Sequence, residues 1–154
     1  MTETAKPKKV KQLTSARLYV GNADAERDSL KNSLGQIEVS TIGSYVKSCA
    51  NEDSAAIIPI NEQALILIVA DGVGGLPGGR AASNTAVEAL REALKKSTVE
   101  NLRTAILDGI ETANTTLLAQ GIGSATTITV AEVRPGVVRS YHVGDSAIWV
   151  CGQR

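Results

Sequence analysis

The chain has 154 residues, 43% of them hydrophobic, and its 16 basic and 16 acidic side chains cancel at neutral pH. That length and apolar content suit one domain with a real core. Zero net charge, 3% aromatic residues and no Phe argue against a surface dedicated to nucleic acid, and the longest apolar run is too short to span a bilayer, so neither nucleic acid nor a membrane is expected as a partner.

Residues 1–35 read differently from the rest. Lys6, Lys8, Lys9 and Lys11 surround Pro7, and Asn22 to Gly35 is polar with scattered charges, so residues 1–35 are expected to be a disordered, solvated tail and residues 36–154 the domain. No apolar segment of a secretory signal precedes them. Cys49 and Cys151 are therefore expected to be reduced thiols of a cytoplasmic protein, without a catalytic role.

A first strand is expected near Ile37 to Ile42. Asn51-Glu52-Asp53-Ser54 then precedes the apolar segment 55–60, and residues 64–70 form a continuous β-favouring run whose length implies burial on both faces. A hairpin through Asn61-Glu62-Gln63 would bring the start of the first strand and the end of the second to one edge. Glu52, Asp53 and Asp71 could then converge. Three carboxylates repel one another unless a cation neutralises them, and all-oxygen ligands favour hard ions such as Mg²⁺ or Mn²⁺. Asp71-Gly72-Val73-Gly74-Gly75 points the same way: an Asp inside such a strand would be an unpaired buried charge, whereas at its end the carboxylate can face a polar site. The glycines let backbone approach a ligand and allow positive φ. The plainer readings are a strand-ending turn and a pair of solvated loop acids.

Two helices should follow. The first runs from Gly79 to Lys96 with Ala82, Ala86, Ala89, Leu90 and Leu94 on its apolar face. Ser97-Thr98-Val99-Glu100 has the form of a capping box before a second stripe of Val99, Leu102, Ile106, Ile110, Ala113 and Leu117, which Gly121 and Gly123 end. Strands are expected near 124–133, 137–143 and 146–151, with Tyr141-His142-Val143-Gly144-Asp145-Ser146 at a strand end. His142, the single histidine, reads as a strand residue and Trp149 as a core or edge anchor. Gly74 to Ala81 approaches a phosphate-binding Gly-x4-Gly-Lys-Ser/Thr loop, but Arg80 and Ala81 occupy its Lys and hydroxyl positions, which leaves a nucleotide-binding module as a minor alternative. Neither a Cys-x5-Arg phosphatase loop nor a Gly-x-Ser-x-Gly elbow is present.

Taken in order, Asn51-Glu52-Asp53-Ser54, Asp71-Gly72-Val73-Gly74-Gly75, Gly123-Ser124-Ala125-Thr126-Thr127 and Val143-Gly144-Asp145-Ser146 resemble the metal-dependent type 2C protein serine/threonine phosphatases, most of all their bacterial branch. The resemblance runs from about Ile37 to the end. It implies an α+β fold, a two-sheet antiparallel β-sandwich flanked by paired α-helices, with this chain carrying the first half. It also implies that Asp71 bridges two metal ions, that Glu52 and the Gly72 carbonyl bind the second of them, that Asp53 orients a metal-bound water, and that Asp145 contributes to a third, weaker metal position. The implied reaction is hydrolysis of phosphoserine or phosphothreonine by a metal-activated water, with a phosphoprotein substrate and a cognate serine/threonine kinase as partners. Val73 departs from the family's Met or His, and Ala125 from its Gly. Ser48 stands where the family has an Arg for substrate phosphate, which makes the adjacent Lys47 the candidate, without the bidentate fork. Further metal-binding aspartates of the family have no counterpart before Arg154. The chain is accordingly expected to be an incomplete fragment, inactive as it stands, with a non-catalytic phosphoprotein-binding or regulatory role as the alternative.

Overall fold

The structure is a computed structural model that describes residues 9–21, 26–43, 51–74 and 78–152. Strands β1 (Lys11–Gln12), β2 (Arg17–Val20), β3 (Glu26–Asn32), β4 (Gly35–Thr41), β5 (Asp53–Asn61) and β6 (Ala64–Asp71) come first, followed by helices α1 (Gly79–Leu94) and α2 (Leu102–Gln120) and strands β7 (Ile128–Arg134) and β8 (Val137–Val143). A five-stranded antiparallel sheet has the order β2-β5-β6-β7-β8, and a three-stranded sheet the order β1-β3-β4, with β1 parallel to β3. The two sheets and the paired helices are the architecture that the motif resemblance implies.

Strand alternation explains the layering. In β5 and β6 the even positions Ala56, Ile58, Ala64, Ile66, Ile68 and Ala70 pack against Ala86, Val87, Leu90, Leu102 and Ile106 of the helices. Odd positions Ile57 and Leu65 face the other way and join Tyr19 and Leu30 in a second core between the sheets. The central strands are thus buried on the helix face and covered on the other around Ile57 and Leu65, while Val69, at 49% exposure, departs from the burial on both faces that their unbroken apolar run predicts. The helices cross where Gly109 of α2 meets Leu90, close enough that an added Cβ would lie 2.9 Å from a Leu90 methyl and 3.1 Å from its Cα.

Residues 11–35, expected as part of a disordered tail, include strands β1 to β3, and Leu13, Tyr19 and Leu30 are buried. Polar composition concealed the few apolar side chains that matter, because only one face of these strands is covered. The Tyr19 hydroxyl donates to Asp28 at 3.1 Å and Lys11 pairs with the same carboxylate at 2.8 Å, so part of the "tail" charge is structural. The Lys11 hydrogen bond holds the Asp28 carboxyl below its usual range, while burial, then Asp28 itself, pushes the Tyr19 phenol up. Lys6 and Lys8 lie outside the described residues.

Smaller differences follow from local chemistry. α1 stops at Leu94, and α2 starts at Leu102 rather than at the expected capping box, because Asn101 Oδ1 accepts the Thr98 N–H at 2.7 Å and closes a turn there. Strand β7 begins at Ile128, after an isolated bridge between Gly72 and Thr126. No strand forms over 146–151, and Trp149 is 87% exposed instead of anchoring a core or an edge. His142 lies in β8 as expected.

Candidate metal-binding end of the central sheet

Asp53 and Asp71 are register partners, the first residue of β5 opposite the last of β6. Both occupy odd positions and therefore share the face turned away from the helices. Their proximity is felt electrostatically: the Asp53 carboxyl is pushed up to about 6, by burial first, then by the Asp71 charge and its hydrogen bond, and last by the Glu52 charge. A cleft of about 300 Å³ opens beside this pair, between β4 and the central strands, with Val39, Thr41, Asp53, Ala55, Leu67 and Val69 in its wall. Asn51, buried at 5% exposure, sets the entrance to β5, its Nδ2 donating to Thr41 Oγ1 at 2.5 Å and its Oδ1 accepting the Asp53 N–H at 3.1 Å.

Glu52 does not join the two aspartates as the hairpin argument anticipates. The same alternation that turns Asp53 away from the helices turns Glu52 toward them, and its Oε1 lies 2.9 Å from where a Gly79 Cβ would stand, at the start of α1. Among the described residues, no group of three or more His, Cys, Asp or Glu side chains is gathered tightly enough to hold a metal ion. The arrangement is a carboxylate pair on one face, with a third carboxylate just around the sheet end.

Backbone contacts draw the other motifs to this end. The Gly72 N–H donates to the Glu52 carbonyl at 3.2 Å, and the Val73 N–H to the Ala125 carbonyl at 2.9 Å. A Cβ on Gly72 would fall 2.3 Å from the Gly79 carbonyl oxygen and 2.6 Å from that of Glu52, so three backbones meet where only glycine fits. The Asp71 carbonyl accepts from the Thr127 N–H at 2.8 Å and from Thr126 Oγ1 at 2.9 Å, while its N–H donates to Thr127 Oγ1 at 3.1 Å. Thr127 Oγ1 also lies 2.7 Å from Ser146 Oγ, and Gly144, at φ 99°, packs so closely that a Cβ would stand 2.8 Å from the Thr127 methyl. Asp145 is exposed between these two anchors. The four motifs are therefore neighbours through Thr126 and Thr127. Lys47, the candidate for phosphate, lies outside the described residues, as do Ser48 and Cys49.

A family model for protein phosphatase 2C matches residues 44–154. The chain belongs to the protein phosphatase 2C family. Among solved structures, this phosphatase 2C chain is similar to the serine/threonine phosphatase PstP/Ppp of Mycobacterium tuberculosis, at 22% identity and a TM-score of 0.53, over 84% of this chain and 47% of that one. It is likewise similar to the catalytic domain of PstP in complex with two manganese ions, at 22% identity and a TM-score of 0.50, over 84% and 48% of the respective chains. The phosphatase 2C chain thus spans about half the length of the solved structures it matches. A search of curated proteins finds no match.

Ser54, Ser83, Thr126 and Thr127 have roles at this end of the phosphatase 2C fold that the motif pattern does not single out. Ser83 and Ser54 are buried at 0% and 2% exposure, and Ser83 donates to the Glu52 carbonyl at 2.6 Å. A signal for Ser83 was present: it is a hydroxyl on the apolar stripe of α1, between Ala82 and Ala86.

Proposed function

We propose that this end of the sheet binds Mg²⁺ or Mn²⁺ and serves hydrolysis of phosphoserine or phosphothreonine in proteins. The observation that carries the reading is the Asp53–Asp71 register pair, in which burial first and then the neighbouring Asp71 push the Asp53 carboxyl up to about 6. Paired oxygen donors in that condition fit a hard divalent cation, which would relieve the repulsion. Asp71 is the candidate for direct contact with metal, with Glu52, the Gly72 carbonyl and Asp145 as further donors and Asp53 to orient water. When bound there, such ions supply an activated water and neutralise charge on the phosphoryl oxygens.

The chain's own residues contribute order. Thr126 and Thr127 hold the Asp71 backbone from two sides, and Gly72 and Gly79 let the β6 end and the start of α1 pack directly on Glu52. Asp53, whose N–H is held by Asn51 Oδ1 at the entrance to β5, would orient a metal-bound water. Support from similarity is of two kinds: the family membership, and the manganese complex of a protein of the same fold.

The test is thermal melting of the purified chain with and without Mn²⁺, together with metal-dependent turnover of p-nitrophenyl phosphate. Mn²⁺ is expected to raise the Tm of the wild type and not that of Asp71→Asn. No rise at millimolar Mn²⁺ would overturn the reading. Turnover that Asp71→Asn abolishes would extend it from binding to catalysis, and binding without turnover would favour the non-catalytic phosphoprotein-binding role.

A further inference from the structure

We infer that the buried Ser83 hydroxyl, with Ser54 behind it, is a positioning device that holds Glu52 for metal, an inference that rests on the metal-binding reading above. Ser83 lies on the sheet-facing stripe of α1 together with Ala82, Ala86, Val87 and Leu90. A serine is a weaker helix former than alanine, and burying its hydroxyl costs stability unless the group is hydrogen-bonded.

A buried helical serine ordinarily satisfies itself by bonding back to a carbonyl of its own helix. Ser83 has such a contact, to the Arg80 carbonyl at 3.1 Å, but its shortest one, 2.6 Å, goes to the Glu52 carbonyl in the segment that enters β5. Its Oγ also lies 2.9 Å from Ser54 Oγ, and Ser54 donates to Asn84 Oδ1 at 2.7 Å. The hydroxyl therefore links two elements, and the link ends on a proposed metal ligand itself.

Glu52 is consequently fixed at its backbone. Its carbonyl accepts from Ser83 and from the Gly72 N–H, and its carboxylate lies against Gly79, in the first turn of the same helix that carries Ser83. Without the Ser83 hydroxyl, one of the two donors that fix the Glu52 backbone at the sheet end, around from Asp53 and Asp71, is gone. Groups that orient a ligand without touching the ion commonly matter 10- to 100-fold in metal affinity, roughly speaking.

The experiment is calorimetric titration of Mn²⁺ into the wild-type chain, Ser83→Ala, Ser54→Ala and Ile106→Val, each at a temperature where circular dichroism shows it folded. Ile106 is buried on α2, outside the machinery described, and its truncation controls for loss of stability alone. Ser83→Ala is expected to weaken Mn²⁺ binding by about tenfold, Ser54→Ala by less in the same direction, and Ile106→Val not at all. Wild-type affinity in Ser83→Ala, or equal weakening in Ile106→Val, would overturn the inference and leave the metal reading standing. Absence of binding by the wild type would overturn both. Should Ser83→Ala fail to fold, Ser83→Cys, which keeps much the same shape but donates only weakly, decides, and wild-type affinity there sinks the positioning role.

Discussion

Asp53 shows how a single residue records the demands of a site. Its folded carboxyl titrates near 6, above the ordinary aspartate value of 3.8, so the folded metal-free chain holds this proton more tightly than the unfolded one. Stability on this account is greatest below about pH 4 and declines as pH rises through about 6, since the ionised form is disfavoured by burial, Asp71 and Glu52. Asp53→Asn should therefore stabilise the metal-free chain at pH 7.5, and the gain should vanish below pH 4. The residue as a whole remains exposed and solvent screens part of the effect, so the gain should be roughly 1 kcal/mol, or about 2–4 °C in Tm. Melting curves at the two pH values check this; an equal gain at both would mean that something other than carboxylate repulsion is relieved.

At the scale of elements, helix α1 connects the core to the site, since its first turn packs on Gly72 and Glu52 while its later turns pack on α2 and the sheet. The close crossing at Gly109 sets how α2 lies against it. Gly109→Ala would improve helix propensity but place a methyl 3.1 Å from Leu90 Cα, which is backbone and cannot swing aside. A net loss of about 1–2 kcal/mol is expected, read from urea unfolding. A stability gain would show that the helices separate at little cost. The sheet has its own polar anchor on the helix side, where the fully buried Glu132 accepts from Tyr141 at 2.7 Å and pairs with Arg134 at 3.0 Å and Arg139 at 3.4 Å. Those partners lie on β7 and β8, so the network ties the two strands together and gives the buried carboxylate cationic neighbours, although Glu132 Oε1 itself accepts no hydrogen bond.

For the whole molecule, the two cores make the amino-terminal strands part of the domain. Leu30, at 0% exposure in the core between the sheets, is as fully buried as Ile66 beneath the helices. Leu30→Ala should cost about 2–5 kcal/mol, whereas a residue in a solvated tail would cost nothing measurable. Chemical denaturation monitored at the helices by far-ultraviolet circular dichroism tests it, because a shifted midpoint there reports that the small sheet and the helical layer unfold together. An unchanged midpoint would mean that residues 9–35 dock on a domain that is stable without them. Among the described residues no helix is long and apolar enough to cross a membrane.

Strands β4 to β8, both helices with their paired cover and the order of the four motifs were legible in the sequence, because each is written in short-range periodicity or in residues next to one another, whereas β1 to β3 were not and the strand expected over 146–151 does not form. The β5–β6 hairpin, and with it the Asp53–Asp71 pair, followed from two apolar runs joined by a short polar turn. Only the tertiary structure decided that Glu52 turns to the helix side while Asp53 turns away, that Thr127 gathers the motifs around Asp71, and that Ser83 reaches across to the Glu52 carbonyl. It also decided that a polar amino-terminal stretch folds, since a few well-placed apolar side chains, Leu13, Tyr19 and Leu30, suffice when a neighbouring sheet covers them. Composition averages over residues, whereas burial and hydrogen bonding depend on which single side chain meets which partner in space.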